Sequence, residues 1–147
     1  MTYTWTKQLS VGNRVIDSTH KETLGIINNI VRSITARDVA ALLEAFERLE
    51  NGLRAYFVVE KNIAQAVNFD FNQHELAHLQ LLNKLHCVKD ELTDKKGLWS
   101  DDEGENCSHS LWDCLIQHIK KDSKQLKIVL DTHFYDFNPN CGGGAPV

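Results

Sequence analysis

The feature that most restricts the fold of this chain is a set of helical apolar stripes, each broken by a metal-ligand side chain. Followed at spacings of three and four, the first stripe reads His20, Leu24, Ile27, Val31, Ile34. The second reads Leu42, Phe46, Leu49, Leu53, Tyr56, Glu60, Ile63, Val67. The third is His74, His78, Leu81, Leu85, Val88, Leu92, and the fourth is Leu111, Leu115, His118, Asp122, Leu126, Val129. These patterns predict helices over about 18–36, 38–67 and 72–93, and a fourth that ends near Leu130. Thr19 and Glu22 have capping-box spacing at the first start, and Asp38 and Asn72 suit the next two caps. For the fourth start, Ser100 with Glu103 competes with Ser108. Residues 1–16 read as an extended arm. The first two connections are short, which favours antiparallel neighbours. The expected fold is all-α: an up-down-up-down antiparallel four-helix bundle with an extended N-terminal arm. Residues 1–135 are expected to form the domain and residues 136–147, rich in Gly, Pro and Asn, a flexible tail.

The interruptions share a level. His20 lies near the start of an upward helix, and Tyr56 and Glu60 lie towards the end of a downward one. His74 and His78 begin the next helix, and His118 and Asp122 occupy the lower half of the last. At about 1.5 Å per residue, all fall within roughly one to three turns of one end of the bundle. Ionisable groups gathered in a bundle core are costly unless something compensates them. A metal centre would satisfy all of them together. Any one such histidine, taken singly, reads as a hydrogen-bonded core residue; the shared level is what favours the metal. Histidine and carboxylate donors without cysteine suit iron, manganese or zinc.

The stretch HELAH, residues 74–78, also matches the zinc-protease pattern H-E-x-x-H. A protease needs a third protein ligand and an open fourth position. The following HLQLLNK supplies neither glycine nor histidine, and only remote Asp90, Glu91 or Asp94 remain. Glu75 is explained as a carboxylate in the first turn of a helix. A zinc set of Cys107, His109, Cys114 and His118 would take His118 away from the bundle level. His86, His109 and His133 read as surface or capping residues, and Cys87 and Cys114 as small buried ones. Trp5, Trp99 and Trp112 read as packing for the arm and the last loop.

Composition limits the remaining classes. A net charge of −4 argues against nucleic acid or an anionic membrane as partner. No apolar run reaches membrane-spanning length, and the N-terminus lacks the apolar core of a signal peptide. The four cysteines form no C-x-x-C pair. A cytoplasmic location with free thiols is therefore expected.

The segment W-x3-LSVGNRVIDSTHKETLGIINNI, with Asp17 and His20, resembles the start of the hemerythrins, specifically the bacterial hemerythrin-like proteins. HELAH matches that family's H-x3-H, and His118-Ile119 matches its last histidine-isoleucine pair. The resemblance covers roughly residues 5–130. It implies two non-haem iron ions with an oxo or hydroxo bridge. His74, His78 and His118 would hold one iron and His20 the other, with Glu60 and Asp122 bridging. It also implies O2 as the small ligand, for carriage, storage or sensing.

Two departures change the expectation. Where the family has H-F-x-x-E, this chain reads YFVVE, so Tyr56 replaces a histidine of the second iron. Tyr56 is either a phenolate ligand or a core aromatic with its hydroxyl on Glu60; the residues leave both open. The family's bridging aspartate stands five residues after the last histidine, whereas here Ser123 is at five and Asp122 at four. In a regular α-helix, four residues return to the same face, which selects Asp122. Two other functions stay open beside ligand binding: a di-iron enzyme acting on peroxide or nitric oxide, and an interaction module with a degenerate metal site. No protein partner is indicated.

Overall fold

Asn13, not Thr19, starts the first helix. Its side-chain oxygen accepts from the amides of Val15 and Ile16, two of the donors a helix start leaves unpaired. Thr19 lies inside the helix and donates its hydroxyl to the Val15 carbonyl. The arm therefore ends at Asn13 rather than at residue 16. The computed structural model describes residues 3–123, 125 and 127, with the backbone alone for 122 and 123. The expected end of the last helix near Leu130, His133, Cys141 and the tail over 136–147 lie outside the described residues.

Helix α1 spans Arg14–Ala36, α2 Val39–Ala66, α3 Asn72–Asp94 and α4 Asp101–Gln117. Asp38 caps α2 by accepting from the Ala41 amide. Asn72 is not the cap of α3 but its first residue; its amide donates to the Asp70 carboxylate. Ser100 and Glu103 form a reciprocal capping box at α4, while Ser108 sits within that helix and donates to the Gly104 carbonyl. Beyond α4 the chain continues as a π-helical segment, His118–Ser123.

Each helix packs on two others: α1 on α2 and α4, α3 on α2 and α4. With the short α1–α2 and α2–α3 turns, this gives an up-down-up-down four-helix bundle, with no strand among the described residues. Ile30, Leu42, Ile63, Leu92 and Leu111 are fully buried and fill the interior. No helix of the described residues is long and apolar enough to cross a membrane.

The arm is tied down along its length. The Tyr3 amide donates to the Asn28 side-chain oxygen, and the Asn28 side-chain amide donates to the Tyr3 carbonyl. Tyr3 stacks on Trp112. Asp17 accepts from the Ser10 hydroxyl and the Val11 amide. Leu9 and Val11 are buried. At the other end, the Trp99 indole donates to the Ile34 carbonyl at 3.0 Å. Contrary to the sequence reading, Cys87 is exposed, because it lies one position off the buried stripe; Cys107 is buried and Cys114 half-buried.

Two helical glycines have opposite surroundings. A Cβ on Gly104 would stand 2.8 Å from Cγ2 of Ile34 and 3.3 Å from the Trp99 ring, whereas one on Gly25 would meet nothing within 4 Å. Gly104→Ala is expected to lose about 1–3 kcal/mol of stability, because a stiff β-branched side chain must move. Gly25→Ala is expected to gain about 0.5–1 kcal/mol from helix propensity. Urea unfolding of the two variants checks both signs.

Candidate metal centre

Glu60 is the anchor of the site. It is wholly buried on α2, yet neither carboxylate oxygen completes a hydrogen bond of ordinary length. Around it stand imidazoles from two other elements. Nε2 of His78 lies 3.6 Å from Oε1, and Nε2 of His74 lies 3.9 Å from the same oxygen. One donor atom each from Glu60, His78 and His118 fall within 4.8 Å of one another. These residues come from α2, α3 and the start of the π segment.

His20 and Tyr56 form the other half. His20, buried on α1, has its Nε2 2.8 Å from the Tyr56 hydroxyl. That distance is a hydrogen bond, and it also fits two ligands of one ion. Metal bonds of about 2.0–2.1 Å at right angles put their donors roughly 2.9 Å apart. Nδ1 of His20 has no hydrogen-bond partner, and neither does Nε2 of His78.

The protonation states suit a cation. Burial pushes His20 down to about 4 and also lowers His78, so both are neutral imidazoles near pH 7. Burial pushes the Glu60 carboxyl up, but His78, His118 and Tyr56 outweigh it and hold the group below its ordinary value. A buried carboxylate and neutral imidazoles are what an ion requires of its ligands. The orphaned polar atoms therefore fit a metal.

Aromatic rings fix the imidazoles. Phe57 stacks on His78 with ring centres 3.8 Å apart. Phe71 stacks on His74, and Phe69 meets it edge-on. Trp5 of the arm lies 6.1 Å from the His20 ring. The inward stripes do not include these rings, because Phe57 is one position off the inward face and Phe69 and Phe71 lie between α2 and α3. Aromatic residues flanking YFVVE and HELAH were the available signal.

Asp122 lies on the π segment, and its side chain is outside the described residues. A π turn takes about one residue more than an α turn. The regular α-helical turn assumed in choosing Asp122 is thus replaced by a wider one in this segment. The competing arrangements are not assembled. Glu75 is exposed and paired with Lys61, so HELAH presents no glutamate to the site. His109 lies beside the Tyr3 hydroxyl and His86 pairs with Glu50 on the surface. His118 sits with Glu60 and His78, not with a cysteine set.

A curated relative carries the same kind of name as the sequence resemblance. The chain is similar to bacteriohemerythrin. The proteins of that name from Pseudomonas aeruginosa strains LESB58, UCBPP-PA14 and PAO1 are each 23% identical to it over 119 residues. The match spans 80% of this chain and 74% of each bacteriohemerythrin. No family model matches the chain.

Proposed function

We propose that this chain is a non-haem di-iron protein of hemerythrin type that binds O2 or a related small ligand. One observation carries the reading: a fully buried carboxylate with unsatisfied oxygens, encircled by buried imidazoles. An unpaired charge there would cost several kcal/mol, and a cation removes that cost. Similarity to bacteriohemerythrin supports iron as the metal.

His74, His78 and His118 would hold one ion, and His20 with Tyr56 the other. Glu60, whose charge acts on both His78 and His20, would bridge them, with Asp122 as the second bridge. A bound iron pair would supply the electrons and an open position for the small ligand. Phe57 and Phe71 keep the imidazoles oriented, while the buried wall around Glu60 limits water.

Metal analysis with a visible spectrum tests this. The expected result is two irons per chain with oxo-bridge bands. A stable oxygenated spectrum that reverses on deoxygenation assigns carriage, storage or sensing. Rapid oxidation with turnover of peroxide or nitric oxide assigns an enzyme. A folded protein that takes up no metal from iron(II) would overturn the reading and leave an interaction module.

A further inference from the structure

The two ions of the centre would not be equally supplied with protein donors. His74, His78 and His118 would serve one, whereas only His20 and Tyr56 would serve the other beside the bridging carboxylates. A position free for a small ligand therefore belongs on the His20 side, and what covers His20 decides how a ligand arrives. His20 itself is 1% exposed.

The rings around the centre are carried in two ways. Phe57 is part of α2, and Phe71 is buried at the N-cap of α3. Phe69 is held by its amide, which donates to the Ala64 carbonyl at 2.9 Å. Trp5 comes from the arm instead. Its ring centre lies 6.1 Å from that of His20, and the residue is half-buried. The ammonium of Lys21, an exposed residue, stands 5.5 Å from the centre of the Trp5 ring. Trp5 therefore reaches from His20 to the surface.

The arm is firmly fixed at one end. Leu9 and Val11 are buried, and Asp17 holds the Ser10 hydroxyl and the Val11 amide. Among the described residues, no backbone–backbone hydrogen bond joins residues 3–8 to a helix. The Leu9 amide donates to the Thr6 carbonyl and the Ser10 amide to the Lys7 carbonyl, and both bonds are local. Thr4, Thr6, Lys7 and Gln8 are exposed. Tyr3 secures the far end. It exchanges two 2.8 Å hydrogen bonds with the Asn28 side chain, stacks on Trp112 and places its hydroxyl beside His109. Segments with few buried contacts open locally at a small part of the global unfolding free energy.

Resting on the metal-centre reading, we propose that residues 3–8 are a strap over the His20 side of the centre. Trp5 is its cover, the Tyr3–Asn28 pair is its latch, and its opening admits the small ligand to the second ion.

Metal-free protein tests the strap through histidine modification by diethyl pyrocarbonate, read peptide by peptide. Trp5→Ala is expected to raise the rate at His20 about tenfold, and Asn28→Ala, which removes both latch bonds and leaves Trp5 in the chain, about fivefold. Trp5→Phe, which keeps a ring, should restore most of the shielding. His78, stacked on Phe57, is the internal reference and should keep its rate. An unchanged His20 rate in both alanine variants overturns the strap. A response to Trp5→Ala alone would make Trp5 a fixed wall and overturn the opening. Equal increases at His20 and His78 would show a loosened bundle and overturn it as well.

The second arm uses iron-loaded protein and azide as the probe, followed by its charge-transfer band. The two alanine variants are expected to speed azide entry by similar factors while iron content stays unchanged. Unaltered azide rates beside a responsive His20 would overturn the ligand route. A chain that takes up no iron would bring down the centre and the route together, and the His20 rates, measured without metal, would separate that failure from a strap that does not open.

Discussion

Iron(II) added to the metal-free protein is expected to raise its melting temperature by roughly 10 °C. A ligand at a thousand times its dissociation constant contributes about 4 kcal/mol, and a domain of this size shifts by about 2–4 °C per kcal/mol. The expected signature is sharper in Glu60 variants. In the metal-free protein, Glu60 is a fully buried carboxylate without a completed hydrogen bond. Replacing it with leucine removes both the cost of burying the charge and the attraction of His78, His118 and Tyr56 for it, contributions that oppose one another. Glu60→Leu should therefore melt close to the parent without metal and show little response to iron. Calorimetry on both proteins, with and without iron(II), reads this directly. A Glu60→Leu protein that is strongly destabilised without metal, or that keeps the full iron response, would show that Glu60 is an ordinary structural residue.

Tyr56 variants carry the second large effect. The hydroxyl is buried and 2.8 Å from His20 Nε2. If it ligates ferric iron, the visible spectrum contains a broad phenolate-to-iron band that disappears in Tyr56→Phe. That variant also leaves His20 Nε2 without its partner, at an expected cost of about 1–3 kcal/mol in the metal-free protein. Tyr56→His restores a neutral nitrogen donor and removes the negative oxygen that favours the ferric state. It is expected to slow autoxidation about tenfold and to give spectra closer to those of hemerythrins. Stopped-flow oxidation of the diferrous forms measures the rate, and resonance Raman with excitation in the band identifies the phenolate. Identical spectra and rates in all three proteins would remove Tyr56 from the centre.

Much of the bundle was legible in the sequence because helical period and capping chemistry are local. Asp38 marks its helix as expected, and of the two starts the sequence leaves open for the fourth helix, the Ser100–Glu103 box is the one that forms. The first helix was read one turn late. Asn13, with two amides in reach, caps that helix instead of the Thr19–Glu22 pattern. Asn72 has a side chain of capping type, but it stands one residue inside the helix, after Phe71, with its amide donated to the Asp70 carboxylate. Cys87 is exposed despite its residue type, because helical phase puts it one position off the buried stripe.

The stripes alone put His20, Tyr56, Glu60, His74, His78 and His118 on inward faces, and all are buried. A period of 3.6 fixes the face a side chain occupies, and helix length fixes its height. Neither fixes which donor touches which. Pairing of Tyr56 with His20, closure of His78 and Glu60 to 3.6 Å, and the ring stacked on His78 arise only when α1, α2 and α3 pack. The π turn after His118 also depends on how the last helix meets α3. Sequence by itself determined the faces and the level of the donors, since both follow from local backbone geometry. Tertiary structure decided their contacts and what covers them, since those depend on how the helices and the arm pack.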